Sequence, residues 1–360
     1  MILLLAGASA VRGQILERVW ARFLPRCESF AVSADGTVVV SADWDGAVQA
    51  YAEDGRVLWR TRFPDKVTCV PANGGVLSVA FTPQSSTNRK VYLLDEHGRT
   101  LRIEKAPGNV RTVEVSDDGK TAVILSEPAR VTVVRRLGHR WRWQRTLLPG
   151  TVTSLSLDST GSRIAVAHRD PAGIVLLTSS LKTVWRFAGS PAESYRLQIS
   201  PNGDVLAALT MPPPGGIAEA FYWRTDNAAP VWRRTIRGDL ARISLSPAGD
   251  FVAAGYRTRL WHGRKSVVES RVTLFSNSGR RLWEVGGLIF PAQLVGTSPG
   301  PTLVMTHDNA RVLAALDSGG HMRARHRLIA PIRSCVMARA GRHFTVLTDA
   351  RVLYLFRRRG

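Results

Sequence analysis

Cysteine is scarce in this 360-residue chain, and its three residues are scattered at Cys27, Cys69 and Cys335. An odd number with no Cys-x-x-Cys spacing excludes a disulfide scaffold and a thiolate metal framework, which leaves buried small hydrophobes as their role. Acidic residues are also few, 28 against 49 lysines and arginines, giving a formal charge of +21. Lysine contributes little of that excess; arginine supplies it and keeps its charge at any working pH. The chain has no Gly-x-Ser-x-Gly, no His-Glu-x-x-His, no EF-hand loop and no glycine-rich phosphate loop before a helix. The eight histidines are dispersed; only His321 and His326 lie close together, within an arginine-rich stretch. No catalytic residue, metal site or cofactor is therefore assigned. No apolar run approaches the length needed to span a bilayer. The opening Met1-Ile-Leu-Leu-Leu-Ala-Gly-Ala-Ser-Ala10 has the apolar run and small-x-small end of an export signal but no basic start. Residues 1–14 read as a tail, and export and a cytoplasmic location stay equally open.

A repeated hairpin is what the sequence does contain. Val48 to Arg60 alternates apolar and polar residues, turns at Asp54-Gly55 and alternates again into Trp59. Period-two patterning around a turn glycine is a β-hairpin signal. A second hairpin type reads Phe30-Ala-Val-Ser-Ala-Asp-Gly-Thr-Val-Val-Val40 and recurs from Val113, Leu155, Leu197 and Ile243, with weaker copies at 69–80, 294–305 and 335–347. Together they form a unit of roughly forty-odd residues, the length of a propeller blade. Units start near residues 27, 67, 110, 152, 194, 240, 290 and 332. The last has room for only three strands before the chain ends. Leu16-Glu-Arg-Val-Trp-Ala-Arg-Phe23 repeats the pattern of Val57-Leu-Trp-Arg-Thr-Arg-Phe63 and supplies the fourth. A ring of sheets loses its free edges only when first and last units join. The expectation is thus an all-β, eight-bladed propeller of four-stranded antiparallel blades over residues 15–360, closed by pairing of 15–24 with 350–358.

The phrase Gly-Arg-Val-Leu-Trp-Arg resembles the repeats of quinoprotein-like (PQQ-repeat) propellers, and the Val-Ser-x-Asp-Gly hairpins resemble those of WD-repeat propellers. The resemblance covers nearly the whole chain, at the level of repeat grammar. It implies that a tryptophan docks between neighbouring blades, and assigns this packing to Trp20, Trp59, Trp143, Trp185, Trp232 and Trp283. Units two and seven carry Arg102 and Arg323 at that place. Trp44-Asp45 falls between the second and third strands and is not the WD signature. Quinoprotein dehydrogenases carry adjacent cysteines and acidic and amide calcium ligands, none of which can be placed here.

Connections between second and third strands vary in length, which puts long loops on one rim of the ring, where recognition commonly resides. The loop in the sixth unit interleaves cations with an aromatic residue, Arg257, Arg259, Trp261, His262, Arg264 and Lys265. That mixture suits an anionic partner. The leading expectation is a non-catalytic, monomeric interaction scaffold that binds a protein or anionic partner through this rim. One alternative is a quinone-dependent dehydrogenase-like or hydrolytic enzyme using the central channel. The other is a polyanion binder (nucleic acid, acidic lipid or glycan) that uses arginines flanking the tryptophans as an outer basic belt.

Overall fold

The computed structural model describes residues 16–64, 66–73, 78–81, 90–106, 108–138, 140–169, 172–189, 194–211, 217–262, 265–286, 289–295, 303–307 and 311–358, with the backbone alone at 78–81, 239–241, 258–262, 265–268, 289–295 and 303–307. Alternating patterns bounded by turn glycines become strands, because each hairpin must bury one face of both arms. In the first blade these are Cys27–Val32, Val38–Asp43, Ala47–Ala52 and Val57–Arg62. Among the described residues the strands pair into eight four-stranded sheets, each a simple antiparallel meander apart from the one that joins the chain's ends. There Leu16–Phe23 pairs with Val352–Arg358, with a bulge between Arg18 and Trp20. Contacts link each sheet to the next and the last to the first, so the sheets form a ring.

The eight sheets are not alike. Six sheets are regular, with strands of five to eight residues. The second is thinned to Thr68–Pro71 and Ser78–Phe81, four residues each. The sixth is overgrown, with Phe251–His262 and Lys265–Ser276 at twelve residues each. Strand length follows local pairing rather than the repeat period, which is why the period alone could not reveal either departure.

The second strands whose side chains are described are buried on both faces, as in Thr121–Ser126, because each is sandwiched between the neighbouring blades. Each seam encloses its own apolar cluster. Val123, Val133, Leu155, Ile164 and Val175 fill the seam between blades three and four, for example. Outer strands alternate instead: Trp59 is buried while Leu58 and Arg60 face out.

The tryptophans explain the Gly-x-x-x-Trp phrase. The Trp20 ring lies over Gly55 of the next blade and its indole N–H donates to the Glu53 carbonyl at 3.1 Å. Trp232 stacks on Gly279 and donates to the Asn277 carbonyl at 3.0 Å, and Trp283 lies on Gly320 and donates to the Ser318 carbonyl at 2.9 Å. Trp185 donates to the Thr225 carbonyl at 2.8 Å, and Trp59 lies against Gly98. A Cβ at any of these glycines would meet the ring at 3.0 Å or closer. The phrase is therefore a socket followed by the plug for the next socket.

Trp143 does not follow the rule. In blades one, two, four, six and seven a bulge separates the third and fourth strands near the turn. Arg130–Leu137 and Arg140–Leu147 of blade three pair without one, as do Ile217–Arg224 and Trp232–Arg237 of blade five. Trp143 sits opposite Val134, which packs in the seam with blade two, whereas Trp232 sits opposite Tyr222, which packs in the seam with blade six. A one-residue change of register exchanges the faces of a strand, and in its register Trp143 packs back toward blade two, under the Arg102 guanidinium at 5.5 Å from its ring centre. The socket ahead of it is occupied by Leu181, at φ 62°, instead of glycine. The socket behind, Gly138, has nothing within 4 Å of a built Cβ, since blade two offers Arg102 where a tryptophan would be.

Candidate functional site

Arg257 is half-buried within the sixth blade, paired with Asp239 of the first strand and Ser270 of the third. Arg271 is likewise paired with Gly286 of the fourth strand. Beyond these two positions Thr258–His262 pair only with 265–269, down to His262 opposite Lys265. The stretch expected as a loop is thus a two-stranded ribbon, extending about 17 Å past its own sheet. Arg259, Trp261, His262 and Lys265 take their backbone places on it, and Arg264 lies outside the described residues. Ribbon pairing runs through backbone N–H and C=O groups and needs no apolar alternation, so no hairpin signal marks it in the sequence.

The ribbon leaves the ring at the end carrying the second-to-third connections. At the other end a cavity of about 410 Å³ opens on the central channel, lined by the ends of the first strands. Glu114, Asp117 and Arg339 supply its charged groups. Asp117 and Arg339 form an ion pair at 3.1 Å, and Glu114 accepts a hydrogen bond from the Leu157 N–H at 3.1 Å. Burial pushes the Glu114 carboxyl up to about 7, against the opposing pull of Arg339 and the Leu157 N–H. Burial likewise raises Asp117, with Arg339 opposing.

The Glu114 contact belongs to a wider pattern. The inner edge of each first strand carries N–H groups that no sheet partner reaches. Ser154 accepts from the Leu197 N–H at 3.2 Å, Ser156 from Ile199 at 3.1 Å and Gln198 from Leu245 at 2.9 Å. Each bond runs from one blade's side chain to the next blade's backbone, so these channel groups satisfy edges that burial would otherwise leave costly. The first-to-second turns add backbone links from Asp117 to Ser159 and from Ser159 to Pro201, both at 2.8 Å.

His321 and His326 do not come together as ligands. His321 is exposed beside Asp317 at 3.4 Å, while His326 packs on Phe356 and burial lowers its pKa. Among the described residues no group of three or more His, Cys, Asp or Glu is placed to hold a metal ion. All three cysteines are buried, and burial raises the Cys27 and Cys335 thiols to about 12. Among the described residues no helix is long and apolar enough to cross a membrane.

Blades stitched by tryptophan plugs into a ring make this a β-propeller. A PQQ-repeat family model, described as outer membrane protein assembly factor BamB, matches residues 16–180. Among solved structures, BamB from Moraxella catarrhalis is 14% identical with a TM-score of 0.66, covering 95% of this chain and 100% of that one. The Dos1 propeller is 10% identical with a TM-score of 0.70, covering 95% and 96%. The β-propeller domain of Cps50 (Swd1) from Myceliophteria thermophila is 11% identical with a TM-score of 0.58, covering 95% and 99%. No curated protein matches the sequence. At these identities the likeness speaks to the fold alone.

Proposed function

We propose that this protein is a non-catalytic scaffold that engages a protein partner on the rim carrying the sixth-blade ribbon, with Arg257, Arg259, Trp261, His262, Arg264 and Lys265 in the contact. The observation that carries the reading is the ribbon itself: two strands that stand clear of their sheet offer unpaired edges to an incoming strand. The channel groups support it from the other side. Glu114 bonds the next blade's backbone and Asp117 and Arg339 are paired with each other, which is structural employment. The description of the matching family model, an outer membrane protein assembly factor, favours partners of the cell envelope. The test joins Arg257 to Ser270 through Asn-Gly, removing the ribbon and leaving the blade's paired strands in place. The trimmed protein is expected to unfold at the same temperature and to lose a partner that the intact protein captures from envelope extract. Capture of the same partner by both forms would end the proposal.

A second reading rests on the outer strands. Arg60, Arg140, Arg142, Arg145, Arg186, Arg325 and Arg327 are exposed there, with no ion pair among the described residues. They favour polyanion binding by the belt. Heparin retention that falls steeply with salt supports it, and elution at low salt discards it.

A further inference from the structure

A second cavity lies on the circumference, in the slot between the outer strand of blade five, Trp232–Arg237, and the third and fourth strands of blade six. It measures about 510 Å³, within the range of small-ligand sites. Ile236, Tyr256 and Phe275 make its apolar floor, all buried. Arg234, Arg237, Arg271 and Arg281 line it, against a single lining carboxylate, Glu284.

These arginines are not equivalent. Arg271 is held by Glu269 at 2.8 Å and Glu284 at 2.5 Å. Glu284 also accepts from the Tyr256 hydroxyl at 2.8 Å and from Thr273 at 3.2 Å, so its charge is spent inside the protein. Arg234 is fixed by donating to the carbonyls of Gly279 at 2.8 Å and Arg233 at 3.2 Å, which orients its plane and leaves one terminal nitrogen over. Arg281 reaches Glu284 only at 3.6 Å, and Arg237 has no ion pair among the described residues. Two pre-positioned guanidinium groups and two exposed, loosely engaged ones thus surround a concave space with surplus positive charge. A guanidinium binds a phosphate or carboxylate through paired hydrogen bonds, and low-dielectric walls strengthen the attraction.

We propose that this slot is an anion-binding site for a small ligand that carries two or more adjacent negative groups. Arg237 and Arg281 contact the ligand directly, while Arg234 and Arg271 set the field and the orientation. No residue lining the slot belongs to the ribbon, so the proposal stands or falls independently of the scaffold reading.

The test is calorimetric titration of the full chain with inorganic pyrophosphate and with tricarballylate. Binding of either supports the site, and which one binds assigns phosphate or carboxylate as the recognised group. The double variant Arg237→Ser with Arg281→Ser is expected to bind about a hundredfold more weakly, roughly tenfold for each arginine. Thr235→Glu places a negative charge at the lining without removing any bond described above, and is expected to abolish binding even should the double variant fail to fold. Arg99→Ser with Lys182→Ser removes the same charge from exposed turns of blades two and four and is expected to change affinity less than about twofold. Absence of binding by both anions, or equal weakening in this control, would overturn the assignment.

Discussion

The seam between blades eight and one and the seam between blades three and four close similar gaps by different means. At the first, where the chain's two ends meet, Trp20 fills a glycine socket. Glu53 beside that socket accepts from His343 at 2.9 Å and Arg357 at 3.1 Å. Arg357 also reaches Glu17 at 3.2 Å. At the second, no tryptophan crosses; the apolar cluster is joined by a hydrogen bond from Arg135 to Ser179 at 3.2 Å. Because blades diverge with distance from the axis, the outer gap needs either one large ring or polar cross-links. A plug therefore sits where the chain is stitched shut, and polar and apolar contacts alone span one of the seams where the backbone is continuous.

The largest expected effect lies at the closing seam. Trp20→Ala removes a buried indole and its hydrogen bond and is expected to cost about 3–5 kcal/mol in urea unfolding. Trp143→Phe, in a ring that packs back toward blade two and leaves the seam with blade four unplugged, removes an indole N–H that is buried with no hydrogen-bond partner among the described residues, and a change below about 0.5 kcal/mol is expected. Equal losses would erase the distinction between the seams.

The inner edge gives the next effect. Glu114 has its pKa raised by burial from an ordinary 4.5 to about 7, so the native state retains a proton that the unfolded chain releases. Its contribution is therefore most favourable below pH 4.5 and is lost as pH rises through about 7. Glu114→Gln keeps an acceptor for Leu157 and cannot ionise. A gain of about 1–3 kcal/mol over the natural protein is expected near pH 8, shrinking toward zero near pH 4.5. A difference that does not vary with pH would show that the carboxyl is not held in this way.

The sockets provide the finest comparison. Gly55 and Gly138 both have positive φ, 83° and 62°, but a Cβ at Gly55 would meet the Trp20 ring at 2.9 Å while one at Gly138 meets open space. Gly138→Ala is expected to cost about 1 kcal/mol from backbone strain alone, and Gly55→Ala about 1–2 kcal/mol more. Matching thermal shifts for the two would mean that the plug contributes nothing to the glycine requirement.

Much of this architecture can be read in one dimension. Turn glycines, alternating strands and the likeness of 16–23 to 57–63 mark hairpins and the strand that returns to pair with the chain's end. Those are local or self-similar signals, and the backbone obeys them because each arm must bury one face. The reversal of Trp143 was hidden, because it depends on its register opposite Val134 across the hairpin. The ribbon of blade six was hidden too, since its pairing uses backbone groups common to every residue. Sequence spacing also gave no hint of the two cavities.

By itself the sequence determined the repeat, the strand polarity and the arginine excess, since period, turn chemistry and charge are properties of neighbours along the chain. Only the tertiary structure decided which tryptophans serve as plugs, that Glu114 and Arg339 share a cavity, and that Arg237 and Arg281 face the same slot. Those pairings join residues far apart in sequence, or on adjacent sheets, and depend on a register that one inserted residue can reverse.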